Sequence, residues 1–114
     1  MCCRLSPVPS LRTGRAFRRV YQGGRHVASP FFVVYRLPSC ETRLGLSVSK
    51  KVGNAVVRNR VRRLIKESFR LRPPAPGMYV VVARAGVGLL PPRTAFAQVD
   101  ASLGALFRRL GAVC

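Results

Sequence analysis

The chain has 114 residues, of which 21 are Lys or Arg and 3 are Asp or Glu, so its formal net charge is +18. This length predicts one domain, and a hydrophobic content of 48% is too high for a disordered polycation. So large a positive charge indicates a polyanionic partner, for which nucleic acid is the usual choice and an anionic membrane surface the alternative.

The N-terminal stretch MCCRLSPVPSL (1–11) predicts a flexible tail, followed by a single α/β domain over residues 12–111. The tail has no apolar segment of signal-peptide length and prolines interrupt it, so we expect a cytoplasmic location. No run approaches the roughly 18 apolar residues of a membrane span. Because no CxxC spacing occurs, we expect free thiols in a reducing compartment, with a zinc site as the alternative. The cysteines are Cys2, Cys3, Cys40 and Cys114.

A helix over about 14–22 is the first regular element that the sequence predicts. Thr13 is its expected cap, and Gly23-Gly24 is its expected end. Phe17 and Tyr21 are four residues apart, so they share one face of this helix. The helix therefore presents two aromatic rings among several arginines.

Two β-strands are predicted next. FFVVYRL (31–37) is rich in β-branched and aromatic residues, and HVA (26–28) before it predicts a short extension of the strand. RLGLSVS (43–49) predicts the second strand, with its leucines and Val48 on one face. Alternation along the first strand separates two sets of side chains: Phe31, Val33 and Tyr35 on one side, Phe32, Val34 and Arg36 on the other.

The segment NAVVRNRVRRLIKESFR (54–70) predicts a basic amphipathic helix with Asn54 as its cap. At about 100° per residue its apolar residues fall in one sector, which we expect to dock on the sheet. These residues are Val57, Val61, Leu64, Ile65 and Phe69. On the outer side Glu67 is expected to pair with Arg63. Like charges at this spacing destabilise a helix, so the outer side indicates an anionic partner rather than solvation alone.

The remaining third of the chain completes an α+β pattern. Prolines after the basic helix end it, and MYVVVAR (78–84) predicts a central strand covered on both faces. AGVGLLPPR (85–93) is interpreted as a loop, and apolar residues spaced by three and four predict a helix over about 94–110. The order helix, strands, helix, strand, helix indicates one sheet with helices packed on it.

Aromatic residues beside arginines are typical of proteins that bind single-stranded nucleic acid, in which bases stack on the rings. Phe17, Tyr21 and Tyr35 are the candidates, although burial in the core is the alternative for Phe17 and Phe32. One His, two Glu and one Asp are scattered, so no acid pair or His–carboxylate set for hydrolysis emerges. A self-sufficient metallo-nuclease is therefore disfavoured.

The segment SKKVGNAVVRNRVRRLIKESFR (49–70) closely resembles the signature of the bacterial ribonuclease P protein component, above all in Arg58-Asn59-Arg60. AFRRVYQGGRHVASPFFVVYRL resembles the first helix and strand of that family, LGLSVSKK the strand before its basic helix, and YVVVAR its last strand. The resemblance covers about residues 11–110. It departs from the family pattern at Ala16, where an acid is common, and at 78–79, where Asp is common.

The resemblance implies an α-β sandwich with a four-stranded sheet, of the ribosomal protein S5 domain 2-like type. It also implies a left-handed crossover around the basic helix. General handedness rules favour a right-handed crossover, so this expectation comes from the family alone.

The resemblance further implies the protein subunit of an endoribonuclease that removes the 5′ leader of precursor tRNA. In that family a catalytic RNA subunit, not the protein, carries out Mg²⁺-dependent hydrolysis, and RNA and substrate hold the Mg²⁺. The implied partners are one catalytic RNA per protein and precursor tRNA, with no membrane, and no residue is carried over as a metal ligand. The leader-binding residues carried over are Phe17, Tyr21, Val33 and Tyr35. The RNA-binding residues carried over are Lys50, Lys51, Arg58, Asn59, Arg60, Arg62, Arg63 and Lys66.

Two other functions remain open from the residues. A basic ribosomal or RNA-chaperone protein shares the charge and the fold class. A membrane-surface protein is the weaker alternative, because the chain has no Trp and its helical apolar face is needed for the sheet.

Overall fold

The structure, a computed structural model, describes residues 14–71 and 74–111. Within them lie three α-helices, four β-strands and one short 3₁₀ helix, η1, so the predicted α+β class is confirmed. The predicted tail (1–11) and the cap Thr13 lie outside the described residues. The elements are α1 (Gly14–Gly23), β1 (Arg25–Ala28), β2 (Phe32–Pro38), β3 (Arg43–Val48), α2 (Ala55–Leu71), β4 (Gly77–Ala83), η1 (Ala85–Leu89) and α3 (Pro92–Arg109).

The four strands form one mixed sheet in the order β1-β2-β4-β3. β1 with β2 and β2 with β4 are antiparallel, whereas β3 and β4 are parallel and are connected through α2. The prediction that the last strand is central is confirmed, because Val80 and Val81, whose side chains point to opposite faces, are both fully buried.

The segment HVA forms a strand, but the prediction that it extends β2 is wrong. β1 folds back as a hairpin partner of β2, with His26 opposite Tyr35. The Ser29 hydroxyl accepts hydrogen bonds from the backbone N–H groups of Phe31 (3.3 Å) and Phe32 (3.1 Å), which closes the turn. Pro30, which has no N–H to donate to a sheet, lies in this turn and interrupts the strand.

α2 and α3 pack on one face of the sheet and form the larger core with it. Three rings join the layers: Phe69 of α2, Tyr79 of β4 and Phe107 of α3 lie 5.5–5.9 Å apart in edge-to-face contacts. α3 begins two residues earlier than predicted, since proline is tolerated in the first turn of a helix. Fully buried side chains of this core include Phe32, Val34, Val61, Ile65, Phe69, Tyr79, Val81, Val99 and Leu103.

The predicted docking face of α2 is confirmed, since Val61, Ile65 and Phe69 are fully buried and the other two predicted residues pack against the core. Asn54 caps the helix as predicted: its side-chain oxygen accepts a hydrogen bond from the Val57 N–H at 3.0 Å.

The predicted ion pair between Glu67 and Arg63 is wrong. Glu67 instead pairs with Arg70, at 2.6 Å. Helical side chains lean toward the N-terminus, so Arg70 reaches back onto Glu67 whereas Arg63 leans away from it. The outer side of α2 around Arg63 therefore keeps its positive charge.

The loop before α2 and η1 pack closely against each other. A Cβ on Gly88 would lie 2.0 Å from the carbonyl oxygen of Val52, so only glycine fits at this position. Gly53 adopts a φ of +155°, and a Cβ there would lie 2.9 Å from the Val57 side chain. These contacts hold η1 beside the start of α2, where the parallel strands β3 and β4 end.

Phe69→Ala is expected to lower the free energy of unfolding by about 3–5 kcal/mol, because it leaves a cavity between α2, β4 and α3. Leu71→Ala on the same helix is the control; this side chain is 49% exposed, so its removal should change stability by less than about 0.5 kcal/mol. Urea unfolding followed by circular dichroism measures both. Similar losses for the two variants would contradict this account of the core.

Candidate nucleic-acid interface

α1 covers the opposite face of the sheet from α2 and α3. Its Val20 is fully buried against Val80 of β4, which fixes the helix over β2 and β4. We call the residues of α1 and of the sheet face beneath it the α1-side surface. Val33 and Tyr35 lie on this face of β2 and are half-buried, so the surface includes all four predicted leader-binding residues.

Four rings form a continuous row across the α1-side surface. The ring centroids of Phe17 and Tyr21 are 6.4 Å apart, and those of Tyr21 and Tyr35 are 4.8 Å apart in an edge-to-face contact. His26 of β1 stacks on Tyr35, with centroids 5.1 Å apart and an interplanar angle of 29°. We call these four residues the aromatic row; it leads from α1 across β2 to the edge strand β1.

Tyr21 spans the sheet from β2 toward β3. Its ring contacts Tyr35, and its hydroxyl is hydrogen-bonded with Ser47 of β3. Burial raises the pKa of Tyr21 above its ordinary value of 10.0, the hydrogen bond with Ser47 opposes this shift, and Tyr35 adds to it. The stability that the neutral phenol contributes is present below pH 10.0 and is lost as the pH rises through its higher folded-state pKa. Tyr21 thus adds no negative charge near neutral pH.

The eight predicted RNA-binding residues lie on the outer side of α2 and in the loop before it, and we call them the basic surface. Lys50, Lys51, Asn59, Arg63 and Lys66 are exposed, whereas Arg58, Arg60 and Arg62 are half-buried. Asn59 accepts a hydrogen bond from the Arg62 guanidinium at 3.1 Å, which orders the middle of this surface. An amide that accepts from a cation leaves its own NH₂ group to donate outward.

Arg58 and Arg60 are half-buried rather than fully extended into solvent. Arg60 donates to the Gly88 carbonyl oxygen at 3.5 Å, which ties α2 to η1. Within residues 14–71 and 74–111, the Nε atoms of both arginines are buried and have no hydrogen-bond partner. A buried donor of this kind costs about 1–3 kcal/mol when it stays unpaired, so each guanidinium gains from an added acceptor.

The edge strand β3 connects the aromatic row with the basic surface. Ser47, which holds the Tyr21 hydroxyl, precedes Lys50 by three residues. At about 3.3 Å per strand residue, this separation is at most about 10 Å. α2 packs against β3 from the opposite face of the sheet. β3 therefore links the two surfaces: its Ser47 lies beside Tyr21 of the aromatic row, and the chain that leaves it leads into Lys50 and Lys51 of the basic surface.

The family model described as Ribonuclease P matches residues 5–111 of the chain. The chain belongs to the ribonuclease P protein family. A ribonuclease P protein component from Exiguobacterium sp. is 48% identical over 105 residues, which cover 87% of each chain. A second one, from Bacillus velezensis, is 39% identical over 104 residues, covering 87% of this chain and 86% of the relative.

Solved structures of the ribonuclease P protein family share this fold. The Staphylococcus aureus RNase P protein superposes with a TM-score of 0.82 at 31% identity, covering 92% of this chain and 97% of that one. The Thermotoga maritima protein gives a TM-score of 0.75 at 30% identity, covering 87% and 96%. The resemblance found in the sequence is thus confirmed, and it places the chain in a tRNA-processing endoribonuclease that includes an RNA subunit.

The structure brings the predicted site residues together as two sets. Phe17, Tyr21, Val33 and Tyr35 share the α1-side surface, and the eight polar residues share the basic surface. Sequence reasoning missed His26 and Ser47. The available signal was hairpin register: once β1 folds back on β2, His26 lies opposite Tyr35. Nothing in the local sequence shows that Tyr21 reaches Ser47.

The described residues also show how far the chain meets the requirements of a metal site, a disulfide and a membrane span. Residues 14–71 and 74–111 contain no cluster of three or more His, Cys, Asp or Glu that would hold a metal ion. Cys40 is a free, exposed thiol, and the other three cysteines lie outside the described residues. No helix in those ranges has the length and apolar content needed to cross a membrane.

Proposed function

We propose that the chain binds the single-stranded 5′ leader of precursor tRNA on the α1-side surface and the RNA subunit of ribonuclease P on the basic surface. The RNA subunit then hydrolyses the phosphodiester with its own Mg²⁺, while the protein raises precursor affinity and lowers the Mg²⁺ requirement. One observation carries the proposal: a row of partly exposed rings lies on the α1 side of the sheet, while a dense set of cations lies on the outer side of α2 and in the loop before it.

The aromatic row supports the leader as a single strand. Tyr21 is 37% exposed, and Phe17 and Tyr35 are half-buried, so these rings are anchored by the core while part of each faces outward. Base–aromatic stacking contributes about 1–3 kcal/mol per base and tolerates any sequence. A duplex cannot use such a row, because its bases already stack on each other. Stacking therefore favours a leader over the paired regions of tRNA.

The basic surface supports a large structured RNA. Its cations extend over loop and helix, where phosphates of a folded RNA can be contacted without unstacking any base. Phosphate oxygens are also good acceptors for the exposed parts of the half-buried Arg58 and Arg60 guanidinium groups. We therefore assign the RNA subunit to this surface.

The placement of the three acids supports catalysis by RNA. Asp100 accepts from the buried Ser68 hydroxyl at 2.7 Å, and Glu41 and Glu67 pair with neighbouring arginines. Each acid thus has a partner within the fold, and residues 14–71 and 74–111 hold no group of three or more His, Cys, Asp or Glu that would bind a metal ion. The chain has too few carboxylates to hold catalytic Mg²⁺, so we assign the ion to the RNA subunit and substrate. A 1:1 complex in the cytoplasm accords with this proposal.

Reconstitution separates this function from that of a ribosomal or RNA-chaperone protein. Added to a bacterial ribonuclease P RNA at low Mg²⁺, the chain is expected to restore 5′ processing of precursor tRNA. The protein without RNA is expected to show no cleavage, because it supplies no catalytic group. Cleavage by the protein alone, or no rescue of the RNA at any Mg²⁺ concentration, would overturn the proposal.

Tyr35→Ala tests the α1-side surface. The reconstituted holoenzyme should lose about 1–3 kcal/mol of binding free energy for the precursor. Its affinity for mature tRNA should stay nearly unchanged, because only the precursor carries a leader. Tyr35→Phe is the matched control, since it keeps the stacking ring. Fluorescence titration with both RNAs measures the ratio. Equal losses for precursor and mature tRNA would refute leader binding at Tyr35.

Arg63→Ala tests the basic surface, because Arg63 is exposed and has no structural hydrogen bond described above. Affinity for the RNA subunit should fall several-fold, and the slope of log affinity against log salt should flatten by about 0.7–0.9, as expected for one lost phosphate contact. Arg43→Ala is the control. It also removes one positive charge, but from a position that already pairs with Glu41 at 3.2 Å. An equal salt-slope change in both variants would argue against a specific surface on α2.

A further inference from the structure

We propose that His26 is an additional nucleobase-stacking position, at the β1 end of the aromatic row, for a leader nucleotide beyond the one that contacts Tyr35. This inference rests on the proposed leader binding and extends it to a residue that the sequence resemblance does not carry over. The ligand is the π-face of a base in a single strand, of any sequence.

The backbone register places His26 on the correct face. His26 is the direct antiparallel partner of Tyr35, and directly opposed residues in a sheet point to the same side. The rings confirm this orientation, since they are stacked at 5.1 Å rather than crossed. His26 therefore extends the α1-side surface by one strand spacing, about 4.8 Å.

α1 leaves this end of the surface open. The helix packs over β2 and β4, and β1 is the edge strand, so His26 is exposed although one face of its ring is covered by Tyr35. Tyr35 itself is contacted by His26 at its ring face and by Tyr21 in an edge-to-face contact. At the β1 end of the row the outermost ring is therefore His26, and a base that stacks on its uncovered side continues the column beyond the nucleotide at Tyr35.

The position of β1 gives the order in which nucleotides are bound. β3, next to the basic surface, and β1 are the two opposite edges of the sheet. Because the RNA subunit is assigned to the basic surface, the leader must cross the row from β3 toward β1 as it leaves the cleavage site. His26 then contacts a nucleotide farther from the cleavage site than Tyr35 does.

Leader length and side-chain chemistry together test this position. Precursor tRNAs whose leaders increase by one nucleotide at a time are titrated with the reconstituted holoenzyme carrying His26→Ala, His26→Phe or His26→Lys. We expect His26→Ala to lose about fivefold in affinity, and only for leaders longer than the length at which Tyr35→Ala first has an effect. His26→Phe should retain affinity, because it keeps the ring, whereas His26→Lys should not, because it supplies a cation without a ring.

A fluorescent base provides a direct readout. With 2-aminopurine at the first nucleotide where His26→Ala has an effect, binding should quench the fluorescence in the unmodified protein and in His26→Phe, but not in His26→Ala. Arg25→Ala, an exposed neighbour whose side chain points to the other face of β1, should leave the ratio of precursor to mature tRNA affinity unchanged. Unfolding midpoints of all variants should agree, since exposed edge positions contribute little to stability.

The outcomes separate the two proposals. If Tyr35→Ala weakens leader binding and His26→Ala does not, the inference about His26 is wrong while leader binding stands. Rescue by lysine would show a charge contact instead of stacking, and tighter binding by His26→Ala would show that the ring blocks Tyr35; either result overturns the inference. If neither alanine variant distinguishes precursor from mature tRNA, leader binding on the α1-side surface fails as well.

Discussion

The aromatic row and the basic surface both depend on the burial of β4 between β2 and β3. Val80 on one face supports α1, and Tyr79 and Val81 on the other face support α2 and α3. A strand that is largely buried on both faces must be apolar and must pair on both edges, which this strand does. The distance between the aromatic row and the basic surface is thereby set by one sheet rather than by a flexible linker.

In the part of the chain that the structure describes, the few acids leave the cations of the basic surface unpaired, so these cations stay available to an anionic partner. All three acids serve contacts within the fold, and the two arginines that pair with Glu41 and Glu67 are outside the predicted RNA-binding set. Pairing an acid with Arg63 would have neutralised the middle of the basic surface.

The sequence was sufficient for the features that repeat with a helical or strand period. The two faces of α2, the alternation along β2 and the central position of β4 follow from spacing alone, and the structure has them where predicted. Features that depend on pairing between distant segments did not follow. The hairpin of β1 with β2 is one, and through it the stacking of His26 on Tyr35. The left-handed crossover stays a prediction from the family resemblance.

In the proposed function, base stacking and phosphate contacts depend differently on salt and on base pairing. This difference accounts for two surfaces rather than one. Phosphate contacts weaken steeply with salt and do not distinguish leader from duplex, because every RNA strand carries phosphates. Stacking depends little on salt and requires unpaired bases. A single mixed groove would bind the paired regions of tRNA by charge as readily as it bound a leader. In the proposed function, the rings of α1 and of the strands beneath it distinguish a precursor from its product, while the cations of α2 and of the loop before it supply affinity for the RNA subunit.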